Sequence, residues 1–295
     1  MSDDVDGAHH SGIHLNLDEA WKDLTGLETL DATRWGPQLR FSAPGKLVEQ
    51  FYRECAPRLS RFTLYGSGDF HHLSALWVRR LQDPFILVSF DNHPDWDIRP
   101  PRWACGGWVN RALELPLLQK VAVWGCGNFE CWWPAQTFGN RAAERSGKLE
   151  LHVWGDQRPV AKRNRRGVIL RATWRDTFER FVRQLAGANI YVTIDLDCLT
   201  SAEAVTNWEN GMFEVDDLVW ALRSLRAAAR VIGGDICGAY SEPKYARAQQ
   251  RFVSQWDHPK IAQPLLAQAR EINQRTLARL WPVLTDRDQN DAGGD

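Results

Sequence analysis

The chain has 295 residues, 44% of them hydrophobic, a formal charge of −1 and no low-complexity linker, which suits one large core or two intimate ones. The near-neutral balance gives no footing for a nucleic-acid or anionic-membrane partner. No apolar run reaches about 18 residues, so a membrane-spanning helix is not expected.

Residues 1–14 are acidic and polar, without the apolar stretch of a signal peptide, and are expected to form a disordered tail ahead of a single domain over 15–295. A helical pattern over 46–59 leads to a strand over 61–65 (RFTLY). That strand discharges into Gly66-Ser67-Gly68-Asp69-Phe70-His71-His72, and a second helical pattern covers 73–81. The apolar strand over 85–90 is followed by Asp91, His93 and Asp95 at alternate positions. Side chains at i and i+2 share one face of an extended segment, so the three can aim at one point. Pro94 limits hydrogen-bonded strand to about Asp91 and makes the rest a rigid loop. A plainer reading is an Asx-rich turn with Asp97 paired to Arg99, and it leaves those three side chains without a purpose.

Further strands are expected over 121–124, 149–154, 168–171, 190–194 and 230–233. Helices are expected over 174–185, 215–229 and 264–280. The strand over 190–194 ends as the strand over 85–90 does, in Asp195 and Asp197. Buried-type strands interleaved with helices indicate a three-layer α/β/α sandwich with a mainly parallel sheet, whose ligands sit beyond the carboxyl ends of the strands. Both acidic clusters fall there.

Buried carboxylates in that number need positive charge beside them. Oxygen and imidazole ligands without thiolate suit Mn²⁺ better than structural zinc, and four carboxylates would neutralise two divalent ions that generate a hydroxide nucleophile. No G-x-S-x-G, P-loop or G-x-G-x-x-G offers another chemistry. The six cysteines, Cys55, Cys105, Cys126, Cys131, Cys198 and Cys237, lack framework spacing and read as structural thiols of a cytoplasmic protein. The 15 tryptophans are expected mostly as core or subunit-interface anchors, with a few of the group Trp103, Trp108, Trp124, Trp132 and Trp133 walling a pocket.

GSGDFHHLS, DNHPD and TIDLD, in this order and spacing, resemble the G-G-D-H-S, D-x-H-x-D and S-x-D-x-D segments of the ureohydrolases: arginase, agmatinase and formiminoglutamase. Asn210-Gly211-Met212-Phe213 resembles the helix start that follows in that family, and Gly234-Asp235-Ile236-Cys237-Gly238 its final G-x-D-x-x-E strand, so the likeness spans about residues 60 to 245. It implies an arginase/deacetylase-like fold and two Mn²⁺ ions. One would be held by His71, Asp91, Asp95 and Asp195, the other by Asp91, His93, Asp195 and Asp197. Phe70 separates Asp69 from the histidine, so His72 is the alternative to His71.

Two departures bear on substrate. The family's guanidinium-binding Glu falls at Gly238, for which Glu242 is the nearest substitute, and its His-Gly loop reads Cys105-Gly106-Gly107-Trp108. The expectation is a hydrolase of linear C–N bonds in guanidines, amidines or amides, acting on a small molecule or a peptide side chain other than free arginine. Asp197 and Glu242 would serve proton transfer and binding, and the protein would be a homo-oligomer. The alternatives are a mononuclear zinc deacylase, which would leave Asp95, Asp195 and His71 idle, and a catalytically silent relative.

Overall fold

The computed structural model describes residues 12–260 and 263–285. β-branched, aromatic and leucine runs form nine strands: β1 (Gly12–Asn16), β2 (Glu28–Asp31), β3 (Phe62–Leu64), β4 (Phe85–Phe90), β5 (Leu118–Cys126), β6 (Leu149–Trp154), β7 (Val168–Ile169), β8 (Asn189–Asp195) and β9 (Arg230–Cys237). They make one sheet in the order β2-β1-β3-β9-β8-β4-β5-β6-β7, and every neighbouring pair is parallel. All carboxyl ends therefore lie on one edge, and β3, β9, β8 and β4, which carry the acidic and histidine segments, are consecutive there.

Alternate side chains feed two cores. Phe85 and Leu87 of β4 pack on one face with Trp77, Trp108 and Val123, and Val88 and Phe90 on the other with Val192, Ile194, Phe178 and Leu222. Helix Val215–Ala228 shows how the second face is covered. Val215, Leu218, Ala221, Leu222 and Leu225 are buried at helical spacing, and Glu214 with Asp217 forms a capping box. None of the described helices is long and apolar enough to cross a membrane.

The sheet is larger than the sequence suggested, since neither β1 nor β2 was expected. β1 starts at Gly12, so residues 12–14 belong to a strand and not to a tail; residues 1–11 and 286–295 lie outside the described residues. β2 reads ETLD with only Leu30 buried, and β1 carries His14 and Asn16, so neither has the apolar run of a central strand. Helix Ala248–Asp257 was also unexpected: it buries only Gln250 and Ser254 and turns Phe252 and Trp256 outward.

The β1 position has a pH consequence. His14 is 3% exposed, and burial lowers its pKa to about 4 from the ordinary 6.5. The folded state then binds fewer protons than the unfolded chain. The stabilisation is complete above about pH 6.5 and is lost as pH falls towards 4, by at most ~3 kcal/mol. Urea unfolding at pH 7 and pH 4.5 should show a smaller acid-induced loss in His14→Gln than in the parent; equal losses would rule the effect out.

Candidate metal centre

The sheet register brings the clusters together. Ser89 pairs with Thr193 and Phe90 with Ile194, so Asp91 and Asp195 leave neighbouring strands at one level, and Asp195 pairs with Cys237 of β9. From β3 the chain turns through Gly66 and Ser67 into a short 3₁₀ segment, Gly68–Leu73, whose start is capped by the Ser67 hydroxyl accepting from the Asp69 N–H. This turn delivers His71. Its Nδ1 lies 3.1 Å from Asp91 Oδ2, 3.3 Å from Asp95 Oδ2 and 3.5 Å from Asp195 Oδ2. His72 joins no such cluster among the described residues, so the turn places His71 at the centre and His72 away from it.

A second group adjoins the first. His93 Nδ1 is 2.8 Å from Asp197 Oδ2 and 3.7 Å from Asp91 Oδ1. The sets His71/Asp91/Asp95 and Asp91/His93/Asp197 each gather ligand atoms within 4.8 Å of one another, and Asp91 belongs to both. All six expected ligands thus converge.

The surroundings hold these side chains in place. The Asn92 N–H donates to Asp197 Oδ1 at 3.0 Å, the His93 N–H to Asp91 Oδ1 at 2.7 Å and the Asp197 N–H to Asp195 Oδ1 at 3.0 Å. Asp95 adopts φ +45°, a left-handed conformation that Asp tolerates, and its Oδ2 accepts the Trp108 indole N–H at 2.6 Å. His71 Nε2 is 2.9 Å from the Thr193 hydroxyl, which donates to Asp235 at 2.6 Å, so a buried carboxylate orients the ring from behind.

Two glycines are required by close approach. A Cβ on Gly68 would stand 2.6 Å from Asp195 Oδ2. Gly238 has φ +99°, and a Cβ there would meet Asp195 Oδ1 at 2.2 Å, so this backbone accepts no glutamate where the family pattern has one.

The cluster is short of positive charge. Burial, joined by the charge of Asp197, pushes Asp195 well above the carboxylate range, and burial with Asp91 pushes Asp95 up to about 7. Burial would lower both imidazoles, yet Asp91 and Asp95 around His71, and Asp197 beside His93, hold them well above 6.5. His71 Nδ1 and Asp91 Oδ2 are buried and face each other, but neither makes a hydrogen bond. A third set, His71/Asp195/Cys237, brings the Cys237 thiol to 3.4 Å from Asp195 Oδ2, and these lone-pair atoms aimed at a shared region, mostly carboxylate oxygen and imidazole nitrogen, fit a divalent metal ion.

Above the cluster is a narrow recess with about 30 Å³ of room, roughly one water's share of the liquid. Beyond the ligands it is lined by Gly68, Glu130, Asp257, Trp208, Cys105 and Gly106, and by no lysine or arginine among the described residues. Burial, opposed by His93, pushes Glu130 up to about 7, and burial also raises Asp257. Glu209 Oε2 stands 3.3 Å from His93 Nε2. Trp208 stacks on His258 at 4.2 Å and meets His93 edge-on. Glu242, expected as the substitute for the missing glutamate, is exposed and does not line the recess. Glu130 and Asp257 stand there instead, and sequence spacing pointed to neither, because they come from a short 3₁₀ segment and from the unexpected helix.

The tryptophans follow the core expectation. Eleven are buried, Trp124 and Trp132 among them, and of the expected wall only Trp208, outside the named group, faces the recess. All six cysteines are free and buried. Asp97 pairs with Arg99, as the plain reading of that residue had it.

No family model matches the chain. An uncharacterised protein of Thermotoga maritima is 27% identical over 189 residues, covering 64% of this chain, and the chain spans 62% of that relative's length. Among solved structures, formimidoylglutamase from Bacillus subtilis is similar with a TM-score of 0.52 at 14% identity, covering 89% of this chain and 72% of that one. Arginase from Bacillus subtilis gives 0.52 at 11% identity with 94% and 99% coverage, and a hypothetical agmatinase from Burkholderia thailandensis 0.50 at 16% with 94% and 74%. Nine parallel strands between two helical layers, shared across most of the chain with these structures, make this the arginase-like α/β fold.

Proposed function

We propose that the chain is a divergent ureohydrolase-type enzyme, a binuclear manganese hydrolase of linear C–N bonds acting on a cationic guanidine, amidine or amine-bearing amide. The observation that carries this reading is the recess. Six carboxylates line it, and two divalent ions held by Asp91, Asp95, Asp195 and Asp197 with His71 and His93 would neutralise four, leaving Glu130 and Asp257 for a cationic substrate. When bound, such ions lower the pKa of solvent and stabilise developing negative charge.

The remaining work falls to the chain itself. Asp91, common to both groups, and Asp195, beside His71, would be the ligands the two ions share. Thr193 with Asp235, Asn92 N–H and Trp108 keep His71, Asp197 and Asp95 from rotating. Glu130 and Asp257 orient the cationic end, and Trp208 closes one side against water. Asp197, in contact with His93, is positioned to pass a proton to the leaving nitrogen. Among the described residues no lysine or arginine lines the wall to receive an α-carboxylate, which favours substrates other than free arginine.

The test is elemental analysis of protein reloaded with Mn²⁺, followed by a screen of guanidines, arginine-containing peptides and cationic amides for urea or ammonia. Two ions per chain with urea release fits the proposal; a single zinc, or ammonia without urea from every guanidine, would overturn the ureohydrolase assignment. Glu130→Gln should raise KM for a cationic substrate about tenfold, the scale of one lost charge pair, with metal content unchanged. An unchanged KM would remove Glu130 from substrate binding.

A further inference from the structure

At the β7 edge of the sheet, away from the carboxyl-end cluster, lies a second recess of about 700 Å³, inside the range of ~300–1,000 Å³ that small-ligand sites occupy. Arg141, Arg145, Arg165, Arg166 and Arg180 line it, in a chain of net charge −1. Its two acids are already engaged. Glu144 pairs with Arg141 at 3.2 Å and Arg165 at 3.1 Å, and Glu150 with Lys120 at 2.9 Å.

Arg145, Arg166 and Arg180 make no ion pair among the described residues. Arg145 donates only to the Arg141 carbonyl and Arg180 only to the Thr177 hydroxyl. The same recess is lined by His152, whose ring stacks on Trp124 with centroids 3.5 Å apart and planes within 7°. Both its ring nitrogens are shielded from solvent, and neither has a hydrogen-bond partner. A half-buried ring fixed by stacking, with two shielded and unused nitrogens, beside three guanidinium groups without ion pairs, is an incomplete hydrogen-bonding arrangement.

We infer that this recess is a binding site for a small phosphate-bearing molecule, with Arg145, Arg166 and Arg180 taking the phosphate oxygens and His152 meeting the organic part. Guanidinium forks match phosphate oxygens in pairs, and a lysine-free arginine set is suited to that geometry. A concave pocket with an aromatic floor favours a small molecule over nucleic acid, which needs a longer basic surface.

The experiment is calorimetric titration of the full chain in about 0.1 M salt, where charge is screened beyond roughly 10 Å, with inorganic phosphate and adenosine monophosphate as separate probes. Saturable one-to-one binding of either supports the site. Tighter binding of the nucleotide is expected, since the organic part meets His152, and equal binding would overturn that role of His152. Arg166→Ser with Arg180→Ser should weaken binding roughly a hundredfold, tenfold for each charge-assisted contact. Both side chains are exposed, so melting temperature and metal content should not change. Absence of saturable binding by both probes, full displacement by chloride at matched ionic strength, unchanged affinity in the double variant, or binding confined to duplex oligonucleotides would each overturn the inference.

Discussion

Asp195→Asn is expected to strip the centre of metal and to abolish the effect of a chelator on stability. In the parent, cations that bind only the folded state stabilise it by about 4 kcal/mol when present at a thousandfold excess over Kd, so chelation should lower the melting temperature by several degrees. Asp195 adjoins the first group, 3.5 Å from His71 Nδ1, with its other oxygen accepting the Asp197 N–H. An asparagine keeps that acceptor and removes one buried charge from a cluster with too many. The chelated variant should therefore melt above the chelated parent, while the Mn²⁺-loaded parent melts above the variant under any condition. Asp91→Asn should behave alike, because Asp91 belongs to both groups. Melting curves with and without chelator, read beside metal analysis, decide the matter. Two retained ions in either variant, together with a parent indifferent to chelator, would sink the metal-centre reading.

What the sequence made legible was whatever depends on local pattern. β4 and β8 are continuous apolar runs ending in alternating acids, so strands, burial and convergence were all readable from FILVSFDNHPD and IYVTIDLD. Their adjacency needed the topology. β4 and β8 are neighbours although about a hundred residues separate them, and only the parallel order makes Asp91 and Asp195 face each other. The choice between His71 and His72 likewise rests on the 3₁₀ turn, which directs one imidazole to the carboxylates and the other into the core. The walls of the recess were not legible. Glu130 and Asp257 reach it from distant parts of the chain, and Trp108 reaches Asp95 through an indole N–H whose target no spacing rule supplies. Gly238 shows the limit from the other side. A missing glutamate looked like a gap to be filled nearby, whereas its φ of +99° and the contact with Asp195 exclude any side chain there.

Arg40→Ala should destabilise the fold by about 3–5 kcal/mol, the cost of leaving a buried charge without its partner. Arg40 is 1% exposed. Its Nε donates to Asp69 Oδ2 at 2.6 Å, its Nη1 donates to the Ser241 hydroxyl at 2.9 Å and lies 3.5 Å from Asp18. Asp69 is wholly buried and is also held by His258 Nε2 at 2.7 Å and the Trp208 indole at 3.2 Å. This residue anchors the Gly68–Leu73 segment, two positions before His71, to the loop carrying Trp208 and to the end of helix Ala248–Asp257. Loss of Arg40 should therefore do two things at once: lower global stability by denaturant unfolding, and weaken metal binding as the turn carrying His71 loosens. Arg40→Lys restores the charge but not the fork, so it should recover stability only in part. Arg40→Met combined with Asp69→Leu removes the central pair and should be less destabilising than Arg40→Ala alone if the single variant suffers most from Asp69, which then keeps only His258 as a charged partner. If the double variant is instead the worse of the two, the network contributes specific hydrogen bonding to the turn beyond charge compensation, and the unfolding and metal-binding losses should then rise together.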